Sequence, residues 1–219
     1  MALATSSSSA TGRSTSMSCP CSRSALRKER KSSKGIANYA LPLVRLDHRT
    51  AQLVTVRLPD FALRVHGADG VAQACVLLQD RFGLDVNLLL FAARVGTTGR
   101  LTPALLAAAT ERVEQWHAEV VRPLRSVRRR LKSGPAPAPN RATTELRDEL
   151  KSLEIRAELI ELGELDAVVP DPEPGTDPGT AVPAALTLVV RTVSDRPFHA
   201  DEHAALATIA AAAVGVGST

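Results

Sequence analysis

The sequence predicts an all-α fold: a compact bundle of about six to seven helices behind a disordered N-terminal leader. Three observations point that way. Of 219 residues only six are aromatic, one Trp, one Tyr and four Phe. The apolar content is therefore aliphatic, rich in Ala and Leu, which favours helices over the alternating Val, Ile, Tyr and Thr of a β-sandwich. From about Leu58 onward, apolar residues recur at steps of three and four, the period of one helix face. Caps, glycines and prolines punctuate those recurrences where helices should start and stop.

Taken in order, Leu58 to His66 places Leu58, Phe61, Ala62 and Val65 on one side, and Gly67 closes it. Asp69 is positioned to cap a second helix whose inward residues are Val71, Ala74, Cys75, Leu78 and Phe82, with Gly83 supplying a left-handed end. Asp85 stands where an N-cap belongs, and Leu84 and Leu89 have the spacing of a hydrophobic staple. Asn87 falls in the first turn. Val86 to Val95 is apolar on nearly every face and should be the central buried helix, stopped by Gly96.

Thr102 before Pro103 is the next start signal. A stripe follows through Leu105, Leu106, Ala109, Val113, Trp116, Val120, Leu124, Val127 and Leu131, and Pro123 should break it. Residues 134–141 read as a stiff Pro-rich linker. A helix over about 143–167 should turn Leu146, Leu150, Leu153, Ala157 and Ile160 inward and its glutamates outward. Residues 168–183 form an acidic Pro-rich loop, Pro183 opens a helix through Val193, and a last helix covers about 200–214. The domain reading is a basic Ser-rich leader over 1–57 and one helical domain over 58–214.

The net charge of +4 divides unevenly. Residues 1–57 carry ten Lys/Arg against Glu29 and Asp47, whereas 141–219 carry six against fourteen acids. The basic balance belongs to the leader, so it does not mark the helical part as a nucleic-acid binder. The leader lacks the apolar core of a secretory signal; its composition would suit a transit peptide, or translation could begin near Val54 or Val56. No apolar run approaches the ~18 residues of a membrane span. Cys19 and Cys21 in "SCPCS" lack companions for zinc, and Cys75 sits on an apolar helical face, so a reduced, cytoplasmic setting is expected.

Little chemistry is on offer. "HADEH", His199 to His203, matches an inverted zinc-protease pattern, but no acid, His or Cys follows it to act as a third ligand. Asp201 and Glu202 then serve as first-turn acids. No phosphate-binding Gly loop, nucleophile elbow or Cys/His pair appears. No catalytic residue, metal ligand or cofactor is expected.

Arg122, Arg125, Arg129 and Lys132 recur at three and four and form a candidate interaction face. A facing row of acids, Glu145 to Asp166, could answer them within the molecule; the alternative is weak nucleic-acid binding along phosphates.

The stretches "ACVLLQDRFGLDVNLLLFAARVG" and "WHAEVVRPLRSVRRRLKS" resemble an uncharacterised family of small helical bacterial proteins. Its members share Leu-Gln-Asp…Asp-Val-Asn-Leu-Leu-Leu-Phe and Glu-Val-Val-x-Pro-Leu-Arg. The resemblance runs from about Leu58 to Gly163 and implies a helical bacterial domain, without an activity, cofactor or site residue. The functional expectation is a non-catalytic cytoplasmic interaction or regulatory domain with an unknown protein partner and no membrane. The alternatives are nucleic-acid binding through residues 122–132 and a small-molecule enzyme without a recognisable motif.

Overall fold

The computed structural model describes residues 56–218, and every regular element in that span is helical. The leader, apart from Val56 and Arg57, and with it Cys19 and Cys21, lies outside the described residues. The helices are α1 (Leu58–His66), α2 (Val71–Phe82), α3 (Val86–Thr98), α4 (Pro103–Trp116), α5 (Arg122–Arg130), α6 (Arg141–Asp166), α7 (Pro178–Arg191) and α8 (Ala200–Gly217). A π-helical turn, His117–Val121, joins α4 to α5 without a break, so the described residues form seven continuous rods.

α3 is the central rod. Leu89, Phe91, Ala92, Ala93 and Val95 are fully buried, and the helix packs against α1, α6, α7 and α8. α2 lies against α8 and α7 against α8, which closes the core on the far side. Asp85 caps α3, its Oδ1 accepting from the Asn87 N–H at 2.8 Å, and the Thr102 hydroxyl caps α4 by accepting from the Leu105 N–H at 3.1 Å. Each satisfies a backbone donor that the first helical turn leaves free.

Several sequence expectations need correcting. Gly70, at φ 79°, precedes α2 in place of an Asp69 cap. Gly96 does not end α3, which runs to Thr98. A Cβ at Gly96 would lie 2.7 Å from Val182 Cα, so the glycine lets α7 approach closely. Residues 134–141 fold into a compact turn, with the Ala138 N–H donating to the Pro135 carbonyl at 2.8 Å, rather than an extended spacer. α7 starts at Pro178 behind an Asp177 cap, which shortens the acidic loop and places Pro183 inside the helix.

Pro123 does not break its helix either. The missing proline N–H is absorbed by the π turn, where the Arg122 N–H reaches back five residues to the His117 carbonyl.

α6 is rotated from its expected orientation. Leu146, Leu153 and Ile160 are 47%, 46% and 54% exposed, while Glu154 and Glu161 are buried. The arginines of α5 and the imidazole of His117 draw those glutamates inward. The gain from charge-assisted hydrogen bonds outweighs the aliphatic area left in water.

Candidate functional site

The rotation of α6 brings Glu161 against two groups from distant parts of the chain. Asp85 enters from the N-cap of α3 and His117 from the first residue of the π turn. His117 Nδ1 lies 3.3 Å from Asp85 Oδ2 and 3.1 Å and 3.4 Å from the two oxygens of Glu161. Asn87 Nδ2 donates to Glu161 Oε2 at 3.0 Å and fixes the carboxylate in place. One nitrogen or oxygen from each of the three side chains lies within 4.8 Å of the others.

Burial and mutual charge set the protonation. Burial, together with the Glu161 charge, pushes the Asp85 carboxyl up to about 8. Burial also opposes the ionised Glu161, but the hydrogen bond and positive charge of His117, with the Asn87 donor, overcome it and hold that carboxyl below the ordinary range. The imidazole, disfavoured as a cation by burial, is raised on balance by Glu161 and Asp85. Of the two carboxyls, Glu161 is therefore the one that holds negative charge more readily and Asp85 the one that holds a proton more readily.

Two grooves flank the cluster. One of about 330 Å³ is floored by Asp85 and Asn87, walled by Leu63, Val76 and Ile155, and edged by Arg128 and Glu158. The other, about 680 Å³, opens over His117 between Gly83 and the arginines at 122, 125, 129 and 130.

Beside the cluster, α5 and α6 are laced together. Arg125 Nε donates to Glu154 Oε1 at 2.9 Å and Arg125 also pairs with Glu158; Arg128 binds Glu154 through Nε and, at 3.1 Å, through Nη2. Arg129 Nη2 reaches Asp80 on α2 at 3.0 Å, while Arg122 and Lys132 are exposed.

The "HADEH" residues do something else. Glu202 is fully buried and accepts from Arg196, Arg81 and the His199 N–H, and the His203 ring lies edge-on to Phe198 at 5.3 Å. That joins α8 to α2 and leaves no metal cluster there among the described residues.

The sequence marks Asp85 as a helix cap; the carboxyl caps with one oxygen and presents the other to the cluster. The sequence pattern marks neither His117 nor Glu161. The available signal was Pro123 inside an otherwise unbroken stripe, because π turns absorb such prolines and recur at functional sites.

Fold and site together define an all-helical domain built around a buried carboxylate–imidazole cluster. Residues 57–165, which hold the whole cluster, match the family described as Protein of unknown function (DUF2390), and the chain belongs to that family. Neither the curated proteins nor the solved structures yielded a match.

Proposed function

We propose that the chain is a non-catalytic interaction domain that self-associates, with the α5–α6 hairpin as interface and a second copy as partner. One observation carries this reading: the hairpin turns a row of aliphatic residues outward. α5 buries none of its nine residues, with Val127 half exposed, and α6 leaves Leu146, Leu153 and Ile160 in solvent. With Leu150 and Ala157 between them, the α6 positions step by four, three, four and three, the seam of a paired helix. Trp116 covers Ala157, its Nε1 donating to the Ala157 carbonyl at 3.1 Å, and extends the seam.

The seam is self-complementary. In an antiparallel pair with its two-fold axis near Leu153, Leu146 meets Ile160 of the copy and Glu149 meets Arg156. Two hairpins joined this way make a four-helix arrangement. The ion pairs of Arg125, Arg128 and Arg129 within the molecule support this over nucleic-acid binding by the face of Arg122, Arg125, Arg129 and Lys132. The thiol of Cys75 is buried and pushed up to about 12 by desolvation, so it is unreactive and plays no part in the interface.

Light scattering on the eluting full chain tests the proposal. A dimer is expected, with Leu153→Glu monomeric at unchanged circular dichroism. Glu149→Arg should weaken the dimer, and adding Arg156→Glu should restore it. A wild-type monomer at its highest soluble concentration, or a Leu153→Glu dimer, would overturn it.

A further inference from the structure

We propose that Asp85, His117 and Glu161 form a binding site for one divalent first-row transition-metal cation of the Zn²⁺ or Mn²⁺ kind. The donors come from three separate elements, the N-cap of α3, the π turn and α6, and converge on one point. Two aspects of the cluster go beyond what internal hydrogen bonding explains.

The first is an orphan oxygen. Asp85 Oδ1 is used by the helix cap, but Oδ2 is buried and has no hydrogen-bond partner of acceptable geometry. The Asp85 side chain is only 9% exposed, so water does not satisfy that oxygen freely. A buried carboxyl oxygen left this way costs stability unless something binds it. It is aimed at the imidazole and at Glu161, which is fully buried.

The second is spacing. Ligand bonds of about 2.1 Å to zinc place tetrahedral neighbours about 3.4 Å apart. His117 Nδ1 stands 3.3 Å from Asp85 Oδ2 and 3.1 Å from Glu161 Oε1, so the donors are already near that separation. A cation displaces any protons on Asp85 and His117, and the two carboxylates and neutral imidazole that result balance its double charge. One nitrogen with two oxygens suits Zn²⁺ or Mn²⁺ rather than the all-oxygen preference of Ca²⁺.

Asn87 is the positioning residue. Its Nδ2 donates to the far oxygen of Glu161 and orients the carboxylate from outside the donor set. The grooves lined by Asp85 and by His117 give a cation entry and leave its remaining coordination to solvent. The three donors meet within one chain, whether or not α6 pairs with a second copy.

The test uses the full chain with Cys19→Ser and Cys21→Ser, so that leader thiols do not bind the probe. After chelator treatment and dialysis, the protein is titrated with Zn²⁺ by calorimetry and with Co²⁺ by its visible absorption. One equivalent should bind, with Co²⁺ bands reporting mixed nitrogen and oxygen ligands. Asp85→Asn is the decisive variant, because Asn caps a helix as well as Asp does and removes only the anionic donor that the cation would bind. It should weaken binding about 100-fold or more at unchanged circular dichroism, as should Glu161→Gln, and Asn87→Ala should weaken it about 10-fold. His203→Ala should bind like the parent. No stoichiometric binding by the parent, or parent-like affinity in both Asp85→Asn and Glu161→Gln, overturns the site. Binding lost in His203→Ala would place the cation elsewhere and overturn it too.

Discussion

Arg125 donates Nε to Glu154 Oε1 at 2.9 Å, and the same carboxylate receives both Nε and Nη2 of Arg128. One buried glutamate on α6 thus fastens two cations of α5, and this contact sets which way the long helix faces. Burial favours the neutral acid, yet the two guanidinium groups hold the Glu154 carboxyl below its ordinary range. Its contribution is therefore fully present above the unfolded carboxylate value of about 4.3 and is lost as pH falls.

Replacing Glu154 with Gln keeps the shape and removes the charge. Charge-assisted hydrogen bonds are each worth about 1.5–3 kcal/mol, so Glu154→Gln should destabilise the chain by about 2 kcal/mol at pH 7. For a chain of this size that lowers Tm by about 4–8 °C. Trp116, whose indole bonds the Ala157 carbonyl on α6, is the only tryptophan and reports the transition by fluorescence. An unchanged midpoint would show that the arginines hold α6 without Glu154.

What was legible in the sequence is what is local. The helical period, the Thr102–Pro103 start and the left-handed end at Gly83 involve neighbours in the chain, and each has its own stereochemical signature. The orientation of α6 is not local. Its leucine stripe and its glutamate row are both good helix faces, and only the arginines 26 to 33 residues earlier decide between them. Gly96 looks like a stop signal until Val182 is placed beside it, and His117 looks like one more exposed residue until Pro123 forces the π turn. The cluster needs residues 32 and 44 positions apart to meet, which a one-dimensional pattern does not encode.

Two glycines in helix interiors should respond oppositely to alanine. At Gly96 the added methyl would lie 2.7 Å from Val182 Cα and 3.0 Å from Val182 N, both backbone atoms that move only with α7. At Gly163 nothing lies within 4 Å. Gly96→Ala should therefore cost about 1–3 kcal/mol through overpacking, whereas Gly163→Ala should gain up to about 1 kcal/mol from helix propensity. Chemical denaturation of the two variants in parallel checks the pair. A stable Gly96→Ala would mean that α3 and α7 are not held at this separation.

The last expectation concerns acid. Glu202 is completely enclosed, with Arg196 Nη2 donating to Oε1 at 2.6 Å and Nη1 to Oε2 at 2.9 Å. Arg81 of α2 adds a bond to Oε1 at 3.1 Å and the His199 N–H one to Oε2 at 2.8 Å. The Arg196 fork, against the opposing effect of burial, and then the backbone and Arg81 donors hold this carboxyl far below the usual carboxylate range. A folded value depressed below the unfolded one makes the ionised group stabilising above pH of about 4.3, and that gain shrinks as protons are taken up. Glu202→Gln should accordingly unfold at lower urea than the parent at pH 7, with the two midpoints drawing together between pH 5 and pH 3. Loosening should show first where α2 meets α8, as faster amide exchange in both helices. A gap that stays constant or widens on acidification would contradict the assignment of an ionised Glu202 to this junction.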